Sequence, residues 1–599
     1  MSDYSNSTTA FAESGFTAEQ QQYLQGFFAG VQQRGIVPFV GHTSSGLMTH
    51  DAASGLVNQA AQPVQPDEEL LYGTPVSELC REERWKLEEN PLDIWDKLLA
   101  HASADTFPAT DDAFRFKFHG LFHVAPAQDS FMLRLRIPGG VLRSYQLRGL
   151  AEMATQWGCG RADLTTRANL QLRELRPRDL VNVLHKVQAL GLSSRGSGAD
   201  NIRNITASPL TGLDPAELYD VAPLAEAMSN YILNSRDLYG LPRKFNIAFD
   251  NGGAISVLAD TNDIGFAAVR VTEGQGLAAG IYFRVLLSGI TGHRQFASDA
   301  GLLLEPREVV AVAAAMIRVF TQNGDRTNRK KARLKYLIDR WGVAKFLAET
   351  EQRLAFPLRH APLSVCEPRG AVDRSAHIGA YAQKQAGMVY LGVAVPVGQL
   401  PAAQMQALAE IAERYGTGEL RLTVWQNLIV PNIPADRLKA ARAALQSAGL
   451  SDTAGTVLRG TVACTGNQGC KYASADTKTH AVTLARYIDD RFPMLEPVNL
   501  HVTGCAHSCA QHYVGDVGLI ATRVDGEEGY HVVVGGGSDQ DQGLARELLH
   551  SVKFNDLFAP LSGLFRAYTR LAPPGESLLQ FTRRHTLPEL QALCNHQEQ

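Results

Sequence analysis

Four cysteines, Cys464, Cys470, Cys505 and Cys509, stand in two pairs reading CTGNQGC and GCAHSC, and they gather half of the chain's 8 cysteines into a 46-residue window. The other four, Cys80, Cys159, Cys366 and Cys594, are scattered. Thiolates hold iron-sulfur clusters and tetrahedral zinc, and four in one region complete either shell. The CxxxC pair suits zinc, whereas CxxxxxC is wider than structural zinc sites favour, so spacing leans towards a cluster. Zinc and unliganded thiols stay open on spacing alone. Gly466, Gly469 and Gly504 flank the cysteines and are expected to let the backbone approach a bulky inorganic core. His501, His507 and His512 offer a mixed Cys and His site, but four cysteines already suffice, so these histidines are read as supporting or packing residues.

The 599 residues imply several domains, and a net charge of −4 with 45% hydrophobic residues describes an ordinary globular protein with no bias towards nucleic acid or membrane. No run of 18 apolar residues occurs, and MSDYSNSTTAFAESGFTAEQ has neither a basic n-region nor the arginine of a transit peptide. A cytoplasmic location is expected, where grouped cysteines bind metal more often than they form disulfides.

The elements that must position the cysteines come from an internal repeat. Residues 131–192 match 389–450 at a constant offset of 258, with Pro138 and Pro396, Gly140 and Gly398, Gln146 and Gln404, Thr165 and Thr423, and Asn169 and Asn427 coinciding. Each copy reads as strand, helix, strand and helix: FMLRLRIP, SYQLRGLAEMATQW, ADLTTRANLQL and RDLVNVLHKVQAL in the first, VYLGVAVP, AAQMQALAEIAERY, LRLTVWQNLIV and DRLKAARAALQSA in the second. These are split βαβ, ferredoxin-like units. RNITASPLTG follows the first copy and RGTVACTGNQG the second, so a two-part module is duplicated. Arginine marks the first copy where the second has none, as with Arg134 opposite Gly392 and Arg167 opposite Trp425, which predicts a pseudo-symmetric cleft with metal on one side and cations on the other.

The reading is an α+β protein of three-domain architecture around a central cofactor cleft. Its segments are an N-terminal appendage or linker over 1–65, with the amphipathic stretch TAEQQQYLQGFFAGVQQRG, then a helical lead-in and first strands over 66–120. Ferredoxin-like halves follow over 121–200 and 376–455, each leading into a cofactor domain, over 201–375 and 456–599. FRFKFHGLFHV, from Phe114, alternates with period two and predicts a strand.

The duplicated module, the two cysteine motifs and LPRKFN resemble the sirohaem and [4Fe-4S] nitrite and sulfite reductase family over residues 70–585, most closely its bacterial assimilatory ferredoxin-dependent nitrite reductases. The resemblance implies that Cys464, Cys470, Cys505 and Cys509 hold the cluster, and that Cys509 also binds the sirohaem iron. Ala506 and His507 replace the usual Pro and Asn of that loop. The sirohaem carboxylates require fixed cations, for which Arg167 in TTRAN and Arg173 correspond to the cofactor-contacting strand, with Ala168 in place of the usual Gln. The family's distal anion site matches Arg134, Arg203, Lys244 and Asn246. The basic run RTNRKKARLKYLIDRW is either a solvated helix face or a contact for cofactor or ferredoxin.

The implied activity is reduction of nitrite to ammonium by a monomer, with ferredoxin as donor, since no GxGxxG opens a βαβ unit. Sulfite reduction is the nearest alternative. Asn246 stands where the sulfite enzymes usually carry a second lysine, which favours nitrite.

Overall fold

The duplication is written into the secondary structure of the computed structural model, which describes residues 69–272, 276–492 and 496–595. The appendage or linker read over residues 1–65, with its amphipathic stretch, lies outside the described residues. In the first copy, strand Ser130–Arg134, helix Ser144–Gln156, strands Arg161–Leu164 and Leu170–Leu175, and helix Leu180–Ala189 follow in order. The second copy repeats them as Met388–Val393, Ala402–Tyr415, Glu419–Leu422, Leu428–Pro434 and Leu438–Ser447.

ADLTTRANLQL is therefore not one strand but two joined by a tight turn. Thr165 N donates to Asn169 O at 2.9 Å and Ala168 takes φ +44°, and the second copy does the same with Thr423, Asn427 and Gln426 at φ +61°. That left-handed residue reverses the chain and leaves Arg167 at the tip.

Between strand and helix each copy inserts a short segment that leaves its own sheet. Val141–Arg143 of the first copy pairs antiparallel with Glu419–Leu422 of the second, and Gln399–Pro401 of the second pairs with Arg161–Leu164 of the first. Leu142 and Leu400 are buried in these exchanged strands. The two halves share one core, in which helices Ser144–Gln156 and Ala402–Tyr415 pack together.

The other two five-stranded sheets are also mates. Ile202–Ala207, Phe245–Asp250 and Ile264–Val271 run parallel, and Gly280–Leu287 and Ser298–Leu304 complete the sheet antiparallel. Gly460–Ala463, Asn499–Thr503, Val517–Val524, Glu527–Val534 and Arg546–Lys553 repeat that order. Ligands of such parallel arrays bind beyond the carboxyl ends of the strands, which is where both cysteine loops begin.

The strand expected from Phe114 begins as a helix. Phe114 falls in helix Thr110–Phe116, a 3-10 turn continues to His119, and the strand starts at Leu121. Phe114, Phe116 and Phe118 are all buried, which mimics strand alternation, but Arg115 pairs with Asp111 and Asp112 at helical spacing, 2.7 Å from each. Among the described residues no helix is long and apolar enough to cross a membrane.

Candidate active site

Cys464 directly follows strand Gly460–Ala463, and Cys505 follows the adjacent parallel strand Asn499–Thr503 by two residues. The Cys464 sulfur accepts the Gly504 N–H at 3.1 Å, and Thr477 Oγ1 donates to the Cys464 carbonyl at 2.7 Å. All four cysteines line one cavity of about 340 Å³. Among the described residues, no three of these sulfurs gather within 4.8 Å of one another, a spread too wide for one tetrahedral zinc with bonds of about 2.3 Å. Burial pushes the Cys464 thiol up to about 11, and Cys509 adds to the effect. Such a thiol stays ionised only beside a cation such as cluster iron.

The glycines beside the cysteines sit against protein neighbours. A Cβ on Gly504 would lie 2.5 Å from Ala473 Cβ, one on Gly466 2.8 Å from Thr477 N, and one on Gly469 2.8 Å from Arg173 Nη1. They permit close packing of the cysteine loops on protein neighbours.

The same cavity is lined by Arg134, Arg167, Arg173, Lys117, Lys471 and Lys478, with Asp163 as its one carboxylate among the described residues. Asp163 is already neutralised by Arg173 at 2.7 Å and Lys478 at 2.6 Å. Arg173 also donates to Thr465 Oγ1 at 2.7 Å, tying the first copy to the cysteine loop. Arg134 Nε and Arg173 Nη1 are buried without a hydrogen-bond partner among the described residues. Burial, reinforced by Arg167 and Arg173, pushes the Arg134 guanidinium down to about 9. Surplus buried cations of this kind require an anion.

Arg203, Lys244 and Asn246 lie off that lining yet within its field. Burial, Arg134 and Arg167 lower the Arg203 pKa, and its guanidinium donates to Ser197 O at 2.6 Å and Ala199 O at 3.0 Å. Lys244 has no hydrogen-bond or ion-pair partner among the described residues. Burial, then Arg333, pushes its ammonium down to about 7, against the pull of Cys509. Asn246 Oδ1 is buried without a hydrogen-bond partner among the described residues.

Several supporting residues escaped the sequence reading. Thr166 Oγ1 donates to Cys509 O at 3.1 Å, so the turn that presents Arg167 also holds the fourth cysteine. Asn204 Nδ2 donates to Arg167 O at 3.0 Å and Ala168 O at 3.2 Å. Gln426 clasps the peptide just before Cys464, its Nε2 donating to Ala463 O and its Oε1 accepting Ala463 N, both at 2.9 Å. The repeat offset pairs Gln426 with Ala168, and that was the available signal.

The basic run divides. Arg326 binds Glu83 at 2.6 Å, Arg329 binds Asp200 at 2.6 Å and Arg333 binds Asp263 at 2.6 Å, so these three arginines are internal struts while Lys330, Lys331 and Arg340 are exposed. His501 and His512 are buried and off the cavity lining, and His507 Nδ1 lies 3.3 Å from the Cys505 sulfur. The pseudo-symmetric position is a smaller cavity of about 80 Å³, where Trp425 replaces Arg167. In this part of the chain Asn246 and Asp263 match Asn499 and Asp516 at an offset of 253, which sets Ser256 of that cavity opposite Cys509, so the duplication retains one set of cysteines.

The "Nitrite and sulphite reductase 4Fe-4S domain" matches residues 198–358 and 454–597, and the "Nitrite/Sulfite reductase ferredoxin-like half domain" matches 123–190 and 381–448. The chain belongs to the nitrite and sulphite reductase family. It is 36% identical to a ferredoxin–nitrite reductase of Synechococcus elongatus over 79% of this chain and 94% of that one. Identity is 38% to the same enzyme of Leptolyngbya laminosa, over 76% and 90%. The structure of the Mycobacterium tuberculosis NirA protein superposes with a TM-score of 0.78 at 27% identity, covering 86% of this chain and 97% of that one. As a member of the family the chain is an oxidoreductase with sirohaem and a [4Fe-4S] cluster as cofactors. Its residues fit both groups: four thiols at the ends of adjacent parallel strands suit the cluster, and unpartnered buried guanidinium nitrogens suit a polycarboxylate macrocycle.

Proposed function

We propose that the chain reduces nitrite to ammonium with electrons from ferredoxin, and that Arg134, Arg203, Lys244 and Asn246 form the substrate pocket. Arg167, Arg173 and Cys509 would hold sirohaem, and Cys464, Cys470, Cys505 and Cys509 the cluster. The observation that carries this reading is a cavity where four cysteines face buried cations left without enough carboxylate. When bound, the cofactors supply electrons singly to a substrate on iron. Everything else falls to side chains.

The cations neutralise and orient an oxyanion, and in a dry site their interactions are stronger than in water. Lys244, with its pKa pushed down to about 7, can release a proton near neutral pH as oxygen leaves. It is charged below that pKa and neutral above it, so turnover is expected to fall as pH rises through it, and the kcat/KM profile checks this. Asn246 offers a neutral amide, which suits a monoanion better than a dianion. The chain is proposed to act as a cytoplasmic monomer, in keeping with its charge and cysteine usage.

Substrate choice is tested by kcat/KM for nitrite and sulfite in the natural protein and in Asn246→Lys. The natural protein prefers nitrite, and the substitution moves the ratio towards sulfite by about one to two powers of ten, equivalent to about 1 to 3 kcal/mol. A natural preference for sulfite would refute the reading.

A further inference from the structure

Asp263 is buried where two segments meet. Its Oδ2 accepts the backbone N–H of Asn246 at 2.8 Å, and its oxygens receive the Arg333 guanidinium at 3.1 and 2.6 Å. Arg333, also buried, immediately precedes helix Leu334–Trp341, and Asn246 lies at the start of strand Phe245–Asp250, two residues after Lys244. The other half repeats the device. Asn499 N donates to Asp516 Oδ2 at 2.9 Å, and Arg374 Nη2 donates to Asp516 Oδ1 at 2.7 Å. Both Asn to Asp separations are 17 residues, but the counterpart of Lys244 is Pro497, so only the first clamp is joined to an ammonium.

We propose that Arg333, acting through Asp263, is a positioning residue for the reaction, fixing the backbone at Asn246 and so the placement of Lys244 and Asn246 towards the substrate anion. This rests on the reading of Lys244 and Asn246 as substrate-facing groups. Arg333 belongs to the basic run, yet its guanidinium is spent inward on Asp263 and is removed from any role on the surface. The charged and titratable groups around Lys244 are Arg333, Cys509, Arg203 and Arg167, with His293 and His507 within its field. Arg333 is the strongest of the charges opposing the Lys244 proton. Losing Arg333 removes that positive charge and frees the negative charge of Asp263, and both changes favour protonated Lys244. Losing the Asp263 charge does the reverse.

The test is the pH profile of kcat/KM for nitrite in holoenzyme carrying Arg333→Gln, Arg333→Lys or Asp263→Asn, with cofactor content read from absorption. Arg333→Gln is expected to lower kcat/KM roughly ten- to a hundredfold. Its alkaline limb should move up by about half a pH unit or more, while Asp263→Asn moves it down. Arg333→Lys, which keeps a charge on Asp263, recovers most of the activity. An Arg333→Gln enzyme with full cofactor and an unchanged profile would overturn the proposal, as would an equal loss at every pH without rescue by lysine. If Arg333→Gln loses its cofactors, the other two variants decide by the same shifts. Cofactor loss in all three would also overturn it, since the pair would then support the fold and not the site. Lys244→Gln separates the two readings: if it leaves rate and limb untouched, the assignment of Lys244 fails, whatever Arg333 does.

Discussion

Cys509 is the exposed member of the four cysteines, open to the cavity that Arg134 and Arg167 also line, and its carbonyl is held by Thr166. Replacing it with serine should remove sirohaem retention and the coupled cluster signal together, whereas Cys159→Ser, off the cavity, should leave both. Absorption and electron paramagnetic resonance spectra of the two variants check this, and full cofactor content in the Cys509 variant would defeat the bridging role. At this scale the cysteines were legible because thiols concentrated at one place have few other uses. The fate of the arginines was not. Arg326, Arg329 and Arg333 look like a surface run, and only tertiary structure supplies the carboxylates Glu83, Asp200 and Asp263 that take them inward. The close approach of Ala473 to Gly504 was likewise beyond the sequence, because it joins segments that only tertiary structure brings together.

Elements show the same division. The offset of 258 exposed the two copies and most of their helices, because hydrophobic periodicity is local. It did not expose the exchange of Val141–Arg143 and Gln399–Pro401, because two copies with the same pattern offer a strand two equivalent edges. Leu142→Ala and Leu400→Ala should each cost about 2 to 5 kcal/mol. Because each strand completes the other half's sheet, calorimetry should show a single lowered transition for both halves, and separate transitions would contradict the shared core. The cysteine loops are equally intolerant of bulk. Gly504→Ala forces a methyl to 2.5 Å from Ala473 and is expected to lower cluster content, measured as iron and acid-labile sulfide per chain, while leaving the ferredoxin-like halves folded.

For the whole molecule, the architecture sets the second half's cysteines against the first half's cations, and the vacated mate position with Trp425 and Ser256 explains why a duplicated chain is read as having one site. Electrons must come from outside. Of the basic run, Lys330, Lys331 and Arg340 remain exposed, and the adjacent lysines are the pair to test against an acidic donor. Reversing both charges should raise the KM for ferredoxin several-fold at low salt, and the difference should fade as salt screens exposed charges over about 10 Å at 0.1 M. Reduction of nitrite to ammonium takes nitrogen from +3 to −3, six electrons, and the proposed cavity is expected to complete it without releasing an intermediate. That expectation is tested most directly by the ammonium formed per nitrite consumed when purified holoenzyme turns over with reduced ferredoxin. The account predicts equimolar ammonium; nitrite loss without matching ammonium, or turnover of sulfite alone, would contradict it.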